Sequence, residues 1–431
     1  MNKTLSQSGP ATLIDRNPVL ALMSSRNFSA LWLGQLLSQV GDRFRFVAVL
    51  VIVNNLTGGD PLAITLLGFT VVIPQIAFGL LGGAVSDRID RKTVMIASDV
   101  LRGLFVLPVI LVDGPDRLWI VYVCSIGMEA VSVFFYPARN AVLPNIVGRG
   151  QLMVANALMQ GSYIIALIVG SALAGYLTEF IGTDFAIVFD SATFFFSVGA
   201  IAVMTVPPLA AAVNGERPTP KNLWNDIQDG LRFIWSRKDL KTILVVSAVA
   251  MLGLGSIIVL GISYLEARLD VGARGYGSTI AMMGVGILIG GALVSRIAKR
   301  VLGNVLVGGS LVLVGVSMVA FAGAGSYTVV LIAAAIIGLC MVVARAALDT
   351  FTQALVPDEM LGRVQATVQM TLAVSTAVAQ VLAGVLAKLL DSVENVFILA
   401  GCVTIVAGVV AILTLRDAAR EMAQSELVRR P

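Results

Sequence analysis

Long apolar runs separated by short polar connections recur along the whole chain. A membrane-spanning helix needs about 20 mainly apolar residues, because the hydrocarbon core is about 30 Å thick and each helical residue rises about 1.5 Å. Twelve segments reach that length. In the first half they are 28–53, 62–85, 93–112, 118–136, 152–178 and 185–206; in the second, 242–265, 276–295, 301–322, 328–348, 364–389 and 396–415. The longest polar stretch carries Pro207, Pro208, Pro218 and Pro220, then an amphipathic piece over 222–239 suited to lie along a membrane surface. The pattern predicts an all-α membrane protein. Its parts are a cytoplasmic segment 1–27, a six-helix bundle 28–206, a linker 207–241, a second six-helix bundle 242–415 and a tail 416–431.

Composition agrees and removes other classes. Of 431 residues 57% are hydrophobic and 13% charged, against about 25% charged in a soluble domain. Too few charges remain to coat a water-facing globule of this length. The chain has no histidine, and Cys124, Cys340 and Cys402 lie far apart in apolar runs, so zinc, haem and disulfide chemistry find no support. No metal site, no catalytic residue and no bound cofactor is expected, and the cysteines read as small core residues.

Lys and Arg gather on one side of the predicted spans. Only Arg117, Arg268, Arg274 and Lys388 fall in connections on the other side, while Arg43, Arg45, Arg102 and Arg345 lie inside spans. Cytoplasmic connections carry the basic excess, so both termini are expected in the cytoplasm of a bacterial-type plasma membrane. The same distribution speaks against a nucleic-acid partner. Residues 1–27 are polar and the first apolar run is long, so no cleavable signal peptide is expected.

The two halves align at an offset of about 210 residues. Gly82-Gly83-Ala84-Val85-Ser86-Asp87-Arg88-Ile89-Asp90-Arg91-Lys92 matches the run from Gly290 to Arg300, and Ala141-Val142-Leu143-Pro144 parallels Ala354-Leu355-Val356-Pro357. Two six-span units of equal orientation suggest pseudo-twofold bundles, as in transporters.

The segment Gly79-Leu80-Leu81-Gly82-Gly83-Ala84-Val85-Ser86-Asp87-Arg88-Ile89-Asp90-Arg91-Lys92 resembles the loop motif between spans 2 and 3 of the major facilitator superfamily. Asp90 stands where that family usually has Gly, a variant familiar in its branch of macrolide-efflux and enterobactin-exporter proteins. Asp99-Val100-Leu101-Arg102, Pro137-Ala138-Arg139, Leu143-Pro144, Asp190-Ser191-Ala192-Thr193-Phe194, Gln353, Val356-Pro357 and Gly362-Arg363-Val364 extend the resemblance over nearly the whole chain. It implies a gate at Asp87, Arg88, Asp90, Arg91 and Lys92, with Asp87 as latch across the halves and Gly79, Gly82 and Gly83 admitting close helix approach. One departure is in span 5, where the family's antiporter motif has Gly-Pro and this chain reads Gly170-Ser171-Ala172-Leu173-Ala174-Gly175, which leaves the helix bend there without its proline.

A charge inside a span costs about 2.5–3.5 kcal/mol on insertion scales, so each one points to function by default. Asp42 lies about 14 residues, or roughly 21 Å, into its span and Glu129 about 11 residues into its own, both near mid-depth. Asp42, Glu129 and Asp190 are the candidates for proton coupling, since a carboxylate in a low-dielectric cavity can exchange a proton between the two faces. Asp190 falls only a turn or two from its span's outer end. Arg43 and Arg45 either attract an anionic substrate or neutralise Asp42. Asp99 with Arg102, and Arg345 with Asp349, share helix faces and read as structural ion pairs. Phe44, Phe46, Phe69, Phe78, Phe134, Phe135, Tyr136, Met128, Met159, Met251, Met282 and Met283 could wall a soft pocket, or pack ordinarily and face lipid.

The chain has no Gly-x-x-x-x-Gly-Lys-Ser/Thr loop, so an ion gradient, with protons as the expected ion, would drive transport. The leading expectation is a monomeric proton-coupled exporter of a small amphipathic drug, macrolide or siderophore. Transport of a lysolipid or other anion is the alternative. A membrane-embedded enzyme lacks any catalytic motif, and a channel lacks a Thr-Val-Gly-Tyr-Gly filter or rings of like charge. The topology has a direct check: green fluorescent protein fused after Leu415 should fluoresce, and alkaline phosphatase fused at Gly114 should be active. The reverse pattern would invert the assigned orientation.

Overall fold

The structure is a computed structural model that describes residues 18–86, 89–206, 220–298 and 300–420. A short helix Pro18–Met23 precedes α1 (Arg26–Thr57), α2 (Pro61–Ser86), α3 (Arg91–Val106), α4 (Leu118–Ile146), α5 (Leu152–Ile165), α6 (Ser171–Ile181) and α7 (Thr183–Ala202). A second set follows: α8 (Pro220–Ser236), α9 (Lys238–Leu269), α10 (Gly272–Ala298), α11 (Gly303–Ala322), α12 (Tyr327–Leu355), α13 (Asp358–Leu389) and α14 (Val393–Thr414). No strand occurs among the described residues, as expected where hydrocarbon offers no partner for unpaired backbone groups.

Among the described residues, eleven helical segments are long and apolar enough to cross a membrane. The first expected span is not one of them, although α1 is a 32-residue helix. Asp42, Arg43 and Arg45 interrupt its apolar run, so its spanning has to rest on shelter by neighbouring helices rather than on composition. Gly58, at φ 62°, ends α1 in the left-handed conformation, and its N–H donates to the Asn54 carbonyl. Span 5 is one continuous segment of α5 and α6 joined by a π-helical turn at Ala166–Gly170. That turn replaces proline as the local irregularity in the departing antiporter segment.

The internal repeat reappears as repeated packing. In the first half α1 lies against α7, α2 against α4, and α3 against both α4 and α7; in the second half α9 lies against α14, α10 against α12, and α11 against both α12 and α14. The halves meet through the symmetric pairs α6 with α10 and α2 with α13. Small residues make these crossings close. A Cβ on Gly175 would stand 2.5 Å from the Ala273 carbonyl oxygen, and one on Gly277 would strike the Ser171 carbonyl.

Among the described residues, polar contacts between the halves gather at one end, beside the 57–61, 181–183 and 269–272 connections. Asn54 Nδ2 donates to Glu266 Oε2 (2.5 Å) and Ser263 Oγ donates to Asn54 Oδ1 (2.6 Å). The Arg274 backbone N–H donates to Glu179 Oε2 at 3.0 Å, and the two side chains pair at 3.8 Å. At the opposite end α8 rests on α13, where Asp229 pairs with Arg363 at 3.6 Å and the Thr367 hydroxyl donates to the Ile227 carbonyl. Cys124 and Cys340 are buried as expected; Cys402 instead is exposed on α14, beside the exposed Leu399, Val403 and Val406. Residues 207–219 of the linker lie outside the described residues.

Gly277→Val should force the α6–α10 crossing apart at about 1–3 kcal/mol. The expected outcome is a melting temperature several degrees lower in detergent, while Gly291→Val, where nothing lies within 4 Å of an added Cβ, leaves it unchanged. Equal losses in the two variants would refute the close-crossing assignment.

Candidate functional site

The helical period of α1 sends Asp42 and Arg45 to one face, and the packing of α1 on α7 brings Asp190 to the same place. A Cβ on Gly41 would strike the Thr193 hydroxyl and stand 2.7 Å from Asp190 Oδ1, so the glycine is what lets α7 approach there. Arg45 then gathers three carboxylates: Asp190 Oδ2 3.4 Å from Nε, Asp42 Oδ1 3.6 Å from Nη2 and Glu129 Oε1 3.8 Å from Nη2. All three candidate acids from separate spans thus share one guanidinium. Asp190, placed near the outer end by sequence, is fully buried at the cluster's back wall. The distances exceed good hydrogen bonds, and Arg45 Nε and both Asp190 oxygens have no hydrogen-bond partner. With every group ionised, three carboxylates on one guanidinium leave an excess of negative charge, with Asp190 fully buried and Asp42 and Glu129 partly exposed.

The Asp99–Arg102 pair lies within the first half, with Asp99 Oδ2 and Arg102 Nε buried and without a hydrogen-bond partner. Both residues are buried and hydrogen-bonded to each other, and the guanidinium lies over Phe135 (4.2 Å) and Phe194 (4.6 Å). Arg345 and Asp349 also pair, at 3.1 Å, but one turn apart on the same helix and each close to half exposed. That pair ties no two helices together.

Beside the cluster a cavity of about 560 Å³ is lined by Gln39, Asp42 and Arg43 of α1, Tyr136, Arg139 and Asn140 of α4, and Asn156, Met159, Gln160 and Tyr163 of α5. It lies in the half of the bundle nearer the 86–91 and 146–152 connections. Arg43 stands over the Tyr163 ring at 5.3 Å and Arg139 over the Tyr136 ring at 5.2 Å. Of the aromatic and thioether wall expected from sequence, only Tyr136 and Met159 line this cavity. Phe44, Phe135, Met128 and Met283 are buried in packing, Phe69 and Phe78 are exposed, Phe134 packs on Phe78, and Phe46 on Tyr276. Arg139, expected in a connection, is a cavity residue because α4 runs on to Ile146.

The missed residues carried a signal. Gln35, Gln39 and Asp42 on α1, Tyr136, Arg139 and Asn140 on α4, and Asn156, Gln160 and Tyr163 on α5 each recur at three- or four-residue spacing. A polar stripe of helical period within an apolar run marks the face turned from lipid.

Of the loop motif's charged residues the structure describes Asp90, Arg91 and Lys92. Asp87 and Arg88 lie outside the described residues. Asp90 is the N-cap of α3, accepting from the Thr93 N–H and hydroxyl, both at 2.9 Å. Arg91 donates to the Ala141 carbonyl (3.1 Å), and Lys92 to the carbonyls of Ala202 (2.7 Å) and Met204 (2.8 Å). Lys92 thus satisfies carbonyls at the end of α7, while Arg91 reaches a carbonyl within α4, both in their own half. Gly79 has nothing within 4 Å of an added Cβ, so it serves no close approach here; the surroundings of Gly82 and Gly83 lie outside what is described.

The family model described as Major Facilitator Superfamily matches residues 31–379 and 305–430. An uncharacterised transporter of that type, YfiS of Bacillus subtilis, is 25% identical over 90% of this chain and 93% of its own length. The multidrug efflux pump Tap of Mycolicibacterium fortuitum is 25% identical over 81% and 84%, and macrolide efflux protein A of Streptococcus pyogenes is 26% identical over 52% and 55%. The crystal structure of the nucleoside transporter NupG superposes with a TM-score of 0.77 at 10% identity, covering 90% of this chain and 99% of that one.

Removing Arg45 leaves three carboxylates without their cation, a loss of about 3–5 kcal/mol for a broken buried pair. Arg45→Gln is expected to lower the melting temperature sharply, and Arg45→Gln combined with Asp190→Asn to recover part of that loss. A double variant no more stable than the single one would show that the cluster does not hold as described.

Proposed function

The chain belongs to the Major Facilitator Superfamily, and from that membership we propose that it exports a small amphipathic molecule across a bacterial plasma membrane in exchange for protons, by alternating access. The observation that carries this reading is the Arg45 cluster, whose excess of carboxylates needs protons or a cationic group to balance it. Asp42 belongs both to that cluster and to the cavity wall, so substrate and proton meet at one side chain. The efflux proteins among the relatives support the outward direction, and the basic connections near the cavity end support a cytoplasmic position for it.

Coupling runs along α1. Arg43 and Asp42 face the cavity, Arg45 holds the acids, and Asn54 joins Ser263 and Glu266 of α9 at the closed end. From Asp42 to Asn54 is about 18 Å of helix. Neutralising the cluster loosens its hold on α1 and lets the far contacts part. One proton entering down about 100 mV supplies about 2.3 kcal/mol, roughly a fifty-fold gradient per substrate molecule.

In a bacterium stripped of its main exporters, the chain should lower the accumulation of at least one of three probes: a macrolide, a catecholate siderophore and a lysophospholipid. Asp42→Asn, Glu129→Gln and Asp190→Asn should each abolish that export while remaining in the membrane. Unimpaired export by all three variants at both pH 6 and pH 8 would remove the coupling assignment.

A further inference from the structure

Two cations at the cavity have no carboxylate to meet. Arg45 draws in Asp42, Glu129 and Asp190, whereas among the described residues Arg43 makes no ion pair or hydrogen bond and its buried Nε is without an acceptor. Its guanidinium rests only on the face of Tyr163. Arg139 donates to neutral oxygens, Asn140 Oδ1 at 2.9 Å and Gln35 Oε1 at 3.4 Å, with Tyr136 beneath it. Aromatic faces and amides restore only part of the hydration that a guanidinium gives up within a membrane. The remaining wall is rich in amides, from Gln39, Asn140, Asn156 and Gln160, each able to donate as well as accept; Gln39 Oε1 is buried without a donor, and Met159 adds a thioether.

Guanidinium forks and amide N–H groups around a polar hollow suit an oxyanion with several acceptors. Asp42 on the same wall suits a positive group on the same molecule. We propose that the substrate is a zwitterion, whose phosphate-type oxyanion binds Arg43 and Arg139 while its cationic group lies on Asp42. A cavity of about 560 Å³ holds such a headgroup with room for an attached ring or chain. This substrate class rests on the exporter reading: the cationic group takes the place of a proton at the Arg45 cluster, which keeps exchange stoichiometric, whereas a purely anionic substrate would bind together with the proton. A cation lacking the oxyanion, such as a macrolide, would leave both arginines unmet.

Calorimetric titration of the full chain in detergent tests the class without any pH gradient. The probes are phosphocholine as a soluble source and lysophosphatidylcholine as a lipid source, with choline, glycerol 3-phosphate and erythromycin as single-charge controls. At least one zwitterion should bind more tightly than every control, and which one binds tells a soluble substrate from a lipid. Arg43→Gln and Arg139→Gln should each weaken it tenfold or more, Arg43→Lys less, and Arg345→Gln not at all, with melting curves confirming that each variant folds. Binding of neither zwitterion, or binding unchanged in both glutamine variants, overturns the proposal, as does erythromycin or choline binding that improves when either arginine is removed. Zwitterion binding without proton-linked transport would instead fail the exporter reading and leave the substrate class standing. Proton-linked export of erythromycin alone would do the opposite.

Discussion

A guanidinium in the interior of a membrane protein has to be met by something, and Arg45 is met by three carboxylates from three helices. Much of the first half follows from that requirement. Gly41 must be small for α7 to bring Asp190 within reach, α4 must present Glu129, and α1 must remain helical through a stretch too polar to pass as a membrane span by composition. The arrangement uses up the carboxylates at this depth, so Arg43 and Arg139 are left facing a polar hollow lined by amides. Scarcity of charge in lipid thus sorts the few charged residues into a cluster with surplus acid and a cavity with surplus base.

The two halves repeat each other in backbone packing but not in chemistry. The pairings of α1, α2, α3, α4 and α7 recur among α9, α10, α11, α12 and α14, and the two halves touch through symmetric crossings. The charged cluster has no counterpart among the described residues of the second half, where Arg345 and Asp349 form a half-exposed pair on one helix. Asn54 on α1 nevertheless reaches the second half directly, through Glu266 and Ser263 of α9.

The helices were legible because hydrocarbon leaves a chain few alternatives: an apolar run of sufficient length becomes a helix, and glycine or an aspartate cap ends or begins it. Local ion pairs were legible for the same reason, since three- and four-residue spacing fixes the face, as with Asp42 and Arg45 or Asp99 and Arg102. Which distant acids would share Arg45 was not legible, because that depends on the rotation of α1 against α4 and α7. The cavity was sought among aromatic and thioether residues, and most of those are packed on other side chains or exposed without lining it. Its real lining, Gln39, Asn140, Asn156, Gln160 and Tyr163, consists of residue types that a search for charge passes over. The loop motif was read as a bridge between halves, and its expected latch Asp87 lies outside the described residues; the carbonyl contacts that Arg91 and Lys92 make within the first half are a role that residue type alone does not distinguish.

The proposed coupling has protons act at the Arg45 cluster and α1 carry the effect to the contacts at Asn54. Electrical recording on a solid-supported membrane carrying the reconstituted protein tests it most directly, by stepping the pH on one side and reading charge movement. A transient inward proton current is expected from the wild type, absent in Asp190→Asn and preserved in Arg345→Gln. An undiminished current in Asp190→Asn would contradict the claim.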